Sequence, residues 1–201
     1  MEFKDVIATR RTQRDFDTSH MMSDEDLNTI IDAARATPTS FNIQNWRFVA
    51  IRDRGIKEKI KRAAWDQPQV AVNSVLLAVC ADLNAWNDNT ERYWAANDED
   101  TAKNMAGMTR GFYDKNTEMQ RDEAMRSVGM AATAIMLAAT DLGYASSPMI
   151  GFNPVDVAAA INMPANHVVG MLIAIGIPQG IPYPKTQLAR SQVMIYDFFP
   201  A

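Results

Sequence analysis

Pro38-Thr39-Ser40-Phe41-Asn42-Ile43-Gln44-Asn45-Trp46 is the stretch on which the reading of this chain turns. It crowds hydroxyls, side-chain amides and an aromatic between a helix pattern and a strand pattern. On its N-terminal side Ser23-Asp24-Glu25-Asp26 opens a helix, because a serine followed three residues later by an acid satisfies free N–H groups of the first turn. Leu27, Ile30, Ile31 and Ala34 line one face of that helix. Pro38 stops it near Thr37 by disfavouring helical backbone in the preceding residue. On the C-terminal side Trp46 to Ile51 reads as a strand. Such a loop presents backbone groups and amides to a planar heterocycle, or it is a plain turn whose Asn and Ser bond their own backbone. Composition leaves both open.

Further out, Ser74 to Ala81 is so continuously apolar that it reads as a strand buried on both faces. Ile56, Ile60 and Ala63 recur at helical spacing before it. Asp122 to Leu142 is the longest helical pattern, apolar nearly all round, with Gly143 placed to end it. A short helix around Pro154 to Ile161, a strand from Val168 to Ile177 and a proline-rich stretch from Pro178 to Pro184 follow. Residues 84–120 differ, being polar and studded with Trp86, Tyr93, Trp94, Phe112 and Tyr113. They are expected to form a helical excursion, covering a site or packing its aromatics on the core.

The 201 residues, 47% hydrophobic and 22% charged, fit one globular domain spanning 1–201. A formal net charge of -4 offers no basic field for nucleic acid, although clustered arginines still suit a phosphorylated small molecule. The lone cysteine, Cys80, lies in an apolar run, which excludes an internal disulfide and fits a reducing cytoplasm. No apolar run reaches the roughly 20 residues a membrane span needs, and no secretory stretch opens the chain, so a soluble, unprocessed protein is expected. Glycine-rich dinucleotide and P-loop fingerprints are absent, as is a nucleophile elbow. His20 and His167, far apart in the chain, give zinc almost no ligands. Chemistry here would belong to a bound organic cofactor.

Arg10-Arg11-Thr12-Gln13-Arg14 supplies guanidinium groups suited to bidentate bonding of phosphate, plus a hydroxyl donor. Alone such a run is more often a solvated charge cluster. Taken with the Pro38 to Trp46 loop, with Gln67-Pro68-Gln69-Val70 ahead of the buried strand, and with Pro148-Met149-Ile150-Gly151-Phe152, it forms an ordered set spread over nearly the whole chain. That set resembles the nitroreductase family, and Leu172 to Pro178 is similar to the family's closing core strand.

The resemblance implies an α+β fold, a mixed central sheet wrapped by helices, in an intertwined homodimer with two FMN sites at its interface. It implies that Arg10, Arg11, Thr12 and Arg14 hold the phosphate and ribityl end of FMN, with Arg190 as a late phosphate ligand and Lys185 a poorer one. Pro38, Thr39, Ser40 and Asn42 would reach the flavin from the partner subunit. Gln67 and Gln69 would lie near the pyrimidine edge, with Asp66 nearby. Pro148 and Met149 would lead the backbone of Ile150 and Gly151 past the reactive N5. No protein acid or base need be catalytic.

The implied activity is ping-pong transfer from NADH or NADPH, through FMN, to a small electron-poor acceptor such as a nitroaromatic or quinone. Phe41, Phe112 and Tyr113 are the expected acceptor pocket. Other flavin reactions, dehalogenation or ring oxidation, would use the same fold, and a non-catalytic FMN carrier or sensor is the rival class. The chain departs from the common pattern at Asn45, Met149, Ile150 and Gln69. Gln69 stands where some members place a lysine, so less positive charge faces reduced flavin.

Overall fold

The computed structural model describes residues 1–199. Its centre is a four-stranded sheet of β1 (Trp46–Ile51), β2 (Val75–Asp82), β3 (Ala145–Met149) and β4 (His167–Gly176), in the order β1-β2-β4-β3. All neighbouring strands pair antiparallel, so the expected mixed sheet is antiparallel along its four strands. Among the described residues, parallel pairing enters only as a bridge between Thr12 and Ser146, which ties the arginine segment to the edge strand β3. The α+β class expected from the resemblance holds.

β2 is buried along its full length, as its composition predicts. Alternate side chains divide between two cores because strand residues point to opposite faces. Val75, Leu77, Val79 and Ala81 pack with α2 (Asp24–Arg35) and α5 (Thr117–Asp141), while Leu76, Ala78 and Cys80 pack with α3 (Arg54–Ala63) and α6 (Pro154–Ala160). Burial pushes the Cys80 thiol up to about 11, so the lone cysteine behaves as a core residue.

α2 begins where expected, with Ser23 Oγ accepting the Asp26 N–H at 3.0 Å. The Asp26 carboxylate does not reach back to complete a capping box; it accepts the Tyr144 hydroxyl at 2.7 Å and fastens α2 to the end of α5. α5 starts at Thr117 rather than Asp122, because the Asn116 side chain caps the Met119 N–H and the first turns are polar. It stops at Gly143, whose φ of 84° suits glycine, with the Tyr144 N–H closing back on the Ala139 carbonyl. β3 has no counterpart in the sequence reading: Ala145-Ser146-Ser147-Pro148-Met149 lacks strand-forming residues. An edge position tolerates Pro148 because its missing N–H costs no ladder bond on the open side.

The first residues form α1 (Phe3–Thr9), and residues 84–120 contain a 3-10 turn at Thr90–Trp94 and α4 (Glu99–Tyr113). The chain after β4 is largely exposed and carries only a short helix, α7 (Arg190–Val193). Among the described residues no helix is long and apolar enough to cross a membrane.

Candidate functional site

Three groups of the residues singled out in the sequence come together, each for a local reason. In the first, Arg10, Arg11, Thr12 and Arg14 line a cleft of about 360 Å³ with Tyr183, Pro184 and Lys185. The segment is fixed at both sides: the Gln13 N–H donates to the Ser146 carbonyl at 3.0 Å, and Gln13 Nε2 donates to the Gln179 carbonyl at 2.8 Å. Gln13 is itself buried, so its side chain acts as a rivet between the arginines and the proline-rich stretch. The Arg14 guanidinium lies over the Tyr183 ring at 5.3 Å. Among the described residues, Arg10, Arg11 and Arg14 pair with no carboxylate, which leaves the cleft cationic. Lys185 lines this cleft. Arg190 does not; it is exposed at the start of α7.

In the second group, Gln67 Nε2 donates to the Gly151 carbonyl at 2.8 Å, joining two motifs far apart in sequence. Gln69 Nε2 donates to Gln67 Oε1 at 3.0 Å and contacts Met149 Sδ at 3.4 Å. Gly151 is the cradle here: a Cβ would meet a Trp65 ring carbon at 3.1 Å and Gln67 Nε2 at 3.4 Å. Trp65 and Asp66 both adopt left-handed backbone, φ 53° and 57°, a conformation non-glycine residues seldom hold without a local reason. Met149 ends β3 in the core, whereas Ile150 is exposed beyond it. The first and second groups are therefore strung along one strand, Thr12 beside Ser146 and Gly151 just past Met149.

In the third group, the Pro38 loop folds into a 3-10 turn at Ser40–Asn42 in which Phe41 and Asn42 have positive φ, as does Gln44 after it. Thr39 Oγ1 accepts the Gln44 N–H, and Asn42 Nδ2 donates to the Tyr93 carbonyl. The Ser40 N–H donates to Glu123 Oε1 at 3.1 Å, an oxygen also bonded by Ser127 Oγ. Phe41, Phe112 and Tyr113 form one aromatic cluster with ring centroids 5.0 to 6.2 Å apart. Tyr113 is closed inside it and its phenol pKa is raised by burial, while Phe112 keeps an exposed face.

Sequence reasoning missed Trp65, Glu123, Gln13, Tyr183 and the pair Lys57 and Asn73. Gln13 sat unremarked inside the arginine motif, and Trp65 beside Gln67; both were within reach. Glu123 carries no local signal beyond that of an acid in the polar first turns of a helix.

The third group lies far from the first on one chain. Ser40 is held at Glu123, near the start of α5, whereas Arg10 and Arg11 share a depression with Thr140 and Gly143 at its end. At 1.5 Å per residue those two ends of α5 are about 26 Å apart.

Comparison with known proteins places the chain in a family. The model of the nitroreductase family matches residues 7–177, and the chain belongs to that family. Protein DrgA of Synechocystis is 41% identical over 88% of this chain and 84% of its own length. MhqN, a candidate NAD(P)H nitroreductase of Bacillus subtilis, is 32% identical over 87% of this chain and 88% of its own length. Among solved structures, a candidate nitroreductase from Exiguobacterium sibiricum in complex with FMN superposes with a TM-score of 0.91 at 25% identity, covering 98% of each chain.

Proposed function

We propose that this chain is an FMN-dependent NAD(P)H oxidoreductase that reduces electron-poor small molecules, nitroaromatics and quinones among them, as a homodimer. The observation that carries this reading is the alignment of a cationic cleft, an edge strand and a glycine cradle along β3. The residues fit the cofactor on their own chemistry. Three arginines without acid partners suit a phosphate, Ser146 Oγ is buried beside them without a hydrogen-bond partner, and Gly151, where a Cβ would crowd Trp65 and Gln67, leaves its backbone open to close approach. FMN is also the ligand held by the Exiguobacterium relative.

When bound, FMN supplies an N5 that accepts a hydride from NAD(P)H and passes electrons to the acceptor. Arg10, Arg11, Thr12 and Arg14 would hold the phosphate end, and Lys185 would join them from the cleft wall, with Arg190 a further candidate. Gln67 and Gln69 would face the pyrimidine edge, Pro148 and Met149 would set the direction of the chain, and Ile150 and Gly151 would offer their backbone to N5. With one open face, donor and acceptor would bind in turn, a ping-pong order.

Geometry supports the dimer. The roughly 26 Å between the ends of α5 exceeds the span of one flavin, so Pro38, Thr39, Ser40 and Asn42 complete the site of the partner, not their own. The chain beyond β4 leaves Ile181, Leu188, Val193, Phe198 and Phe199 exposed, apolar surface that a partner subunit would cover. Residues 84–120 bring Phe112 to Phe41 and form the acceptor-facing wall. A single cysteine forms no internal disulfide, which fits a cytoplasmic setting.

The visible spectrum of the purified protein, before and after anaerobic NADH or NADPH, tests the reading. Flavin bands that bleach support it. Protein that cannot be loaded with FMN overturns it, and bound flavin that stays oxidised points to a carrier.

A further inference from the structure

Lys57 is the buried charge that the fold itself does not account for. It lies on α3, a helix that exposes most of its polar side chains, yet it is only 5% exposed, turned inward with Ile60 and Ala63. A lysine at such a position ordinarily extends its ammonium to water. This one donates to the backbone carbonyl of Asn73 at 2.8 Å and, among the described residues, meets no carboxylate. Burial, with the neighbouring Arg52 charge, holds its pKa down to about 8. Burying an ammonium without a counter-ion destabilises a fold, and an apolar side chain would pack there at less cost.

What the lysine touches continues toward the site. Asn73 Nδ2 donates to the Gln69 and Val70 carbonyls at 2.7 and 2.9 Å, pinning the 3-10 turn Pro68–Val70. Gln69 Nε2 donates to Gln67 Oε1, and Gln67 Nε2 donates to the Gly151 carbonyl. The first two links meet backbone carbonyls and so fix the turn mechanically, while Gln69, Gln67 and Gly151 form a run of amides that donate in the same sense and polarise one another. Lys57, Asn73 and Gln69 are all buried, which shields the series from water.

We infer that Lys57 is a positioning residue for the reactive edge of the flavin, acting through Asn73, Gln69 and Gln67 on the backbone at Gly151, and that its charge behind this turn favours reduced FMN. The inference rests on the proposed placement of the flavin against Gln67, Gln69 and Gly151. Gln69 itself is neutral. Lys57 puts a cation one layer behind the turn that carries Gln69.

The test uses the FMN-loaded full chain and three variants, Lys57→Met, Asn73→Ala and Gln67→Leu, with Lys57→Arg as the conservative control. Readouts are the FMN dissociation constant and the two-electron midpoint potential, with circular dichroism as the check on folding. Lys57→Met is expected to weaken binding of reduced relative to oxidised FMN roughly tenfold, which moves the potential about 30 mV more negative. Lys57→Arg keeps most of the wild-type potential. Asn73→Ala retains the lysine but cuts the series, giving a smaller shift of the same sign. If Lys57→Met does not fold, Asn73→Ala decides: a shift supports the inference and an unchanged potential overturns it. An unchanged potential in Lys57→Met beside a shifted Gln67→Leu overturns the role of Lys57 and leaves the flavin site standing. No change in affinity or potential in Gln67→Leu removes the flavin from this edge, and the proposed placement and the role of Lys57 fall together, while FMN loading still decides the function.

Discussion

Gln67 Nε2 donates to the Gly151 carbonyl at 2.8 Å, while a Cβ on Gly151 would lie 3.1 Å from the Trp65 ring. The two residues hold each other in place with no side chain between them. Gly151→Ala is expected to leave the fold intact, since Trp65 is exposed and free to swing away. FMN affinity is expected to fall about tenfold as the indole and Gln67 are displaced, a change of roughly 1.4 kcal/mol. Fluorescence titration of FMN checks this; unchanged affinity would remove Gly151 from the cradle.

The arginine cleft makes a separable prediction. Arg14→Ala is expected to weaken FMN by about 1.5–3 kcal/mol, the range for hydrogen bonds to a charged group. Riboflavin, which lacks the phosphate, should bind the variant and the parent alike. Equal losses for both ligands would place Arg14 elsewhere on the flavin.

Glu123 holds the Ser40 N–H and the Ser127 hydroxyl with one buried oxygen. Glu123→Ala leaves both donors without that acceptor and is expected to cost about 1–3 kcal/mol in unfolding free energy, with poorer FMN retention. Glu123→Gln keeps an acceptor oxygen and should recover most of both. Urea titrations of the two variants tell them apart, and identical behaviour would mean that the carboxylate oxygen is not what orders the loop.

Lys57 predicts a pH dependence with a definite sign. Its pKa falls from the ordinary 10.5 to about 8 on folding, so between those values the unfolded chain holds a proton that the folded chain has released. Stability therefore rises with pH through that window, and the charged lysine costs about 3 kcal/mol below it. Lys57→Met should be more stable than the parent at pH 7, less the cost of the freed Asn73 carbonyl, and this advantage should shrink by pH 10. Chemical unfolding at pH 7, 8.5 and 10 measures it, and a constant offset between the two proteins would contradict the assignment.

Gly170 sits where β2 and β4 shift register, between residues paired to Val79 and Cys80. A Cβ there would come within 2.7 Å of the Val128 side chain on α5. Gly170→Ala is expected to destabilise by about 1–3 kcal/mol, as overpacking does. Thermal unfolding should show it, and pairing with Val128→Ala should restore part of the loss.

Much of the molecule was legible in the residues. β1, β2, β4, α2 and α6 are set by local pattern, because hydrophobic period, caps and proline act within a few residues. The motif set that marks the family is legible for the same reason. β3 was not: Ala145 to Met149 becomes a strand only because β4 offers a free edge and Thr12 closes the other side. The early start of α5 was hidden by polar first turns.

The sequence by itself determined which chemistries were open to this chain: a cationic segment, an amide-rich loop and glycine at 151. Only the tertiary structure decided which of these meet. It joined Gln67 to Gly151, set Lys185 rather than Arg190 in the arginine cleft, and turned Lys57 into the core. It also separated the Ser40 loop from the arginines by most of the length of α5. The physical reason is that residue type and local period depend on near neighbours, whereas these meetings depend on how a buried sheet and a long helix place distant segments in space.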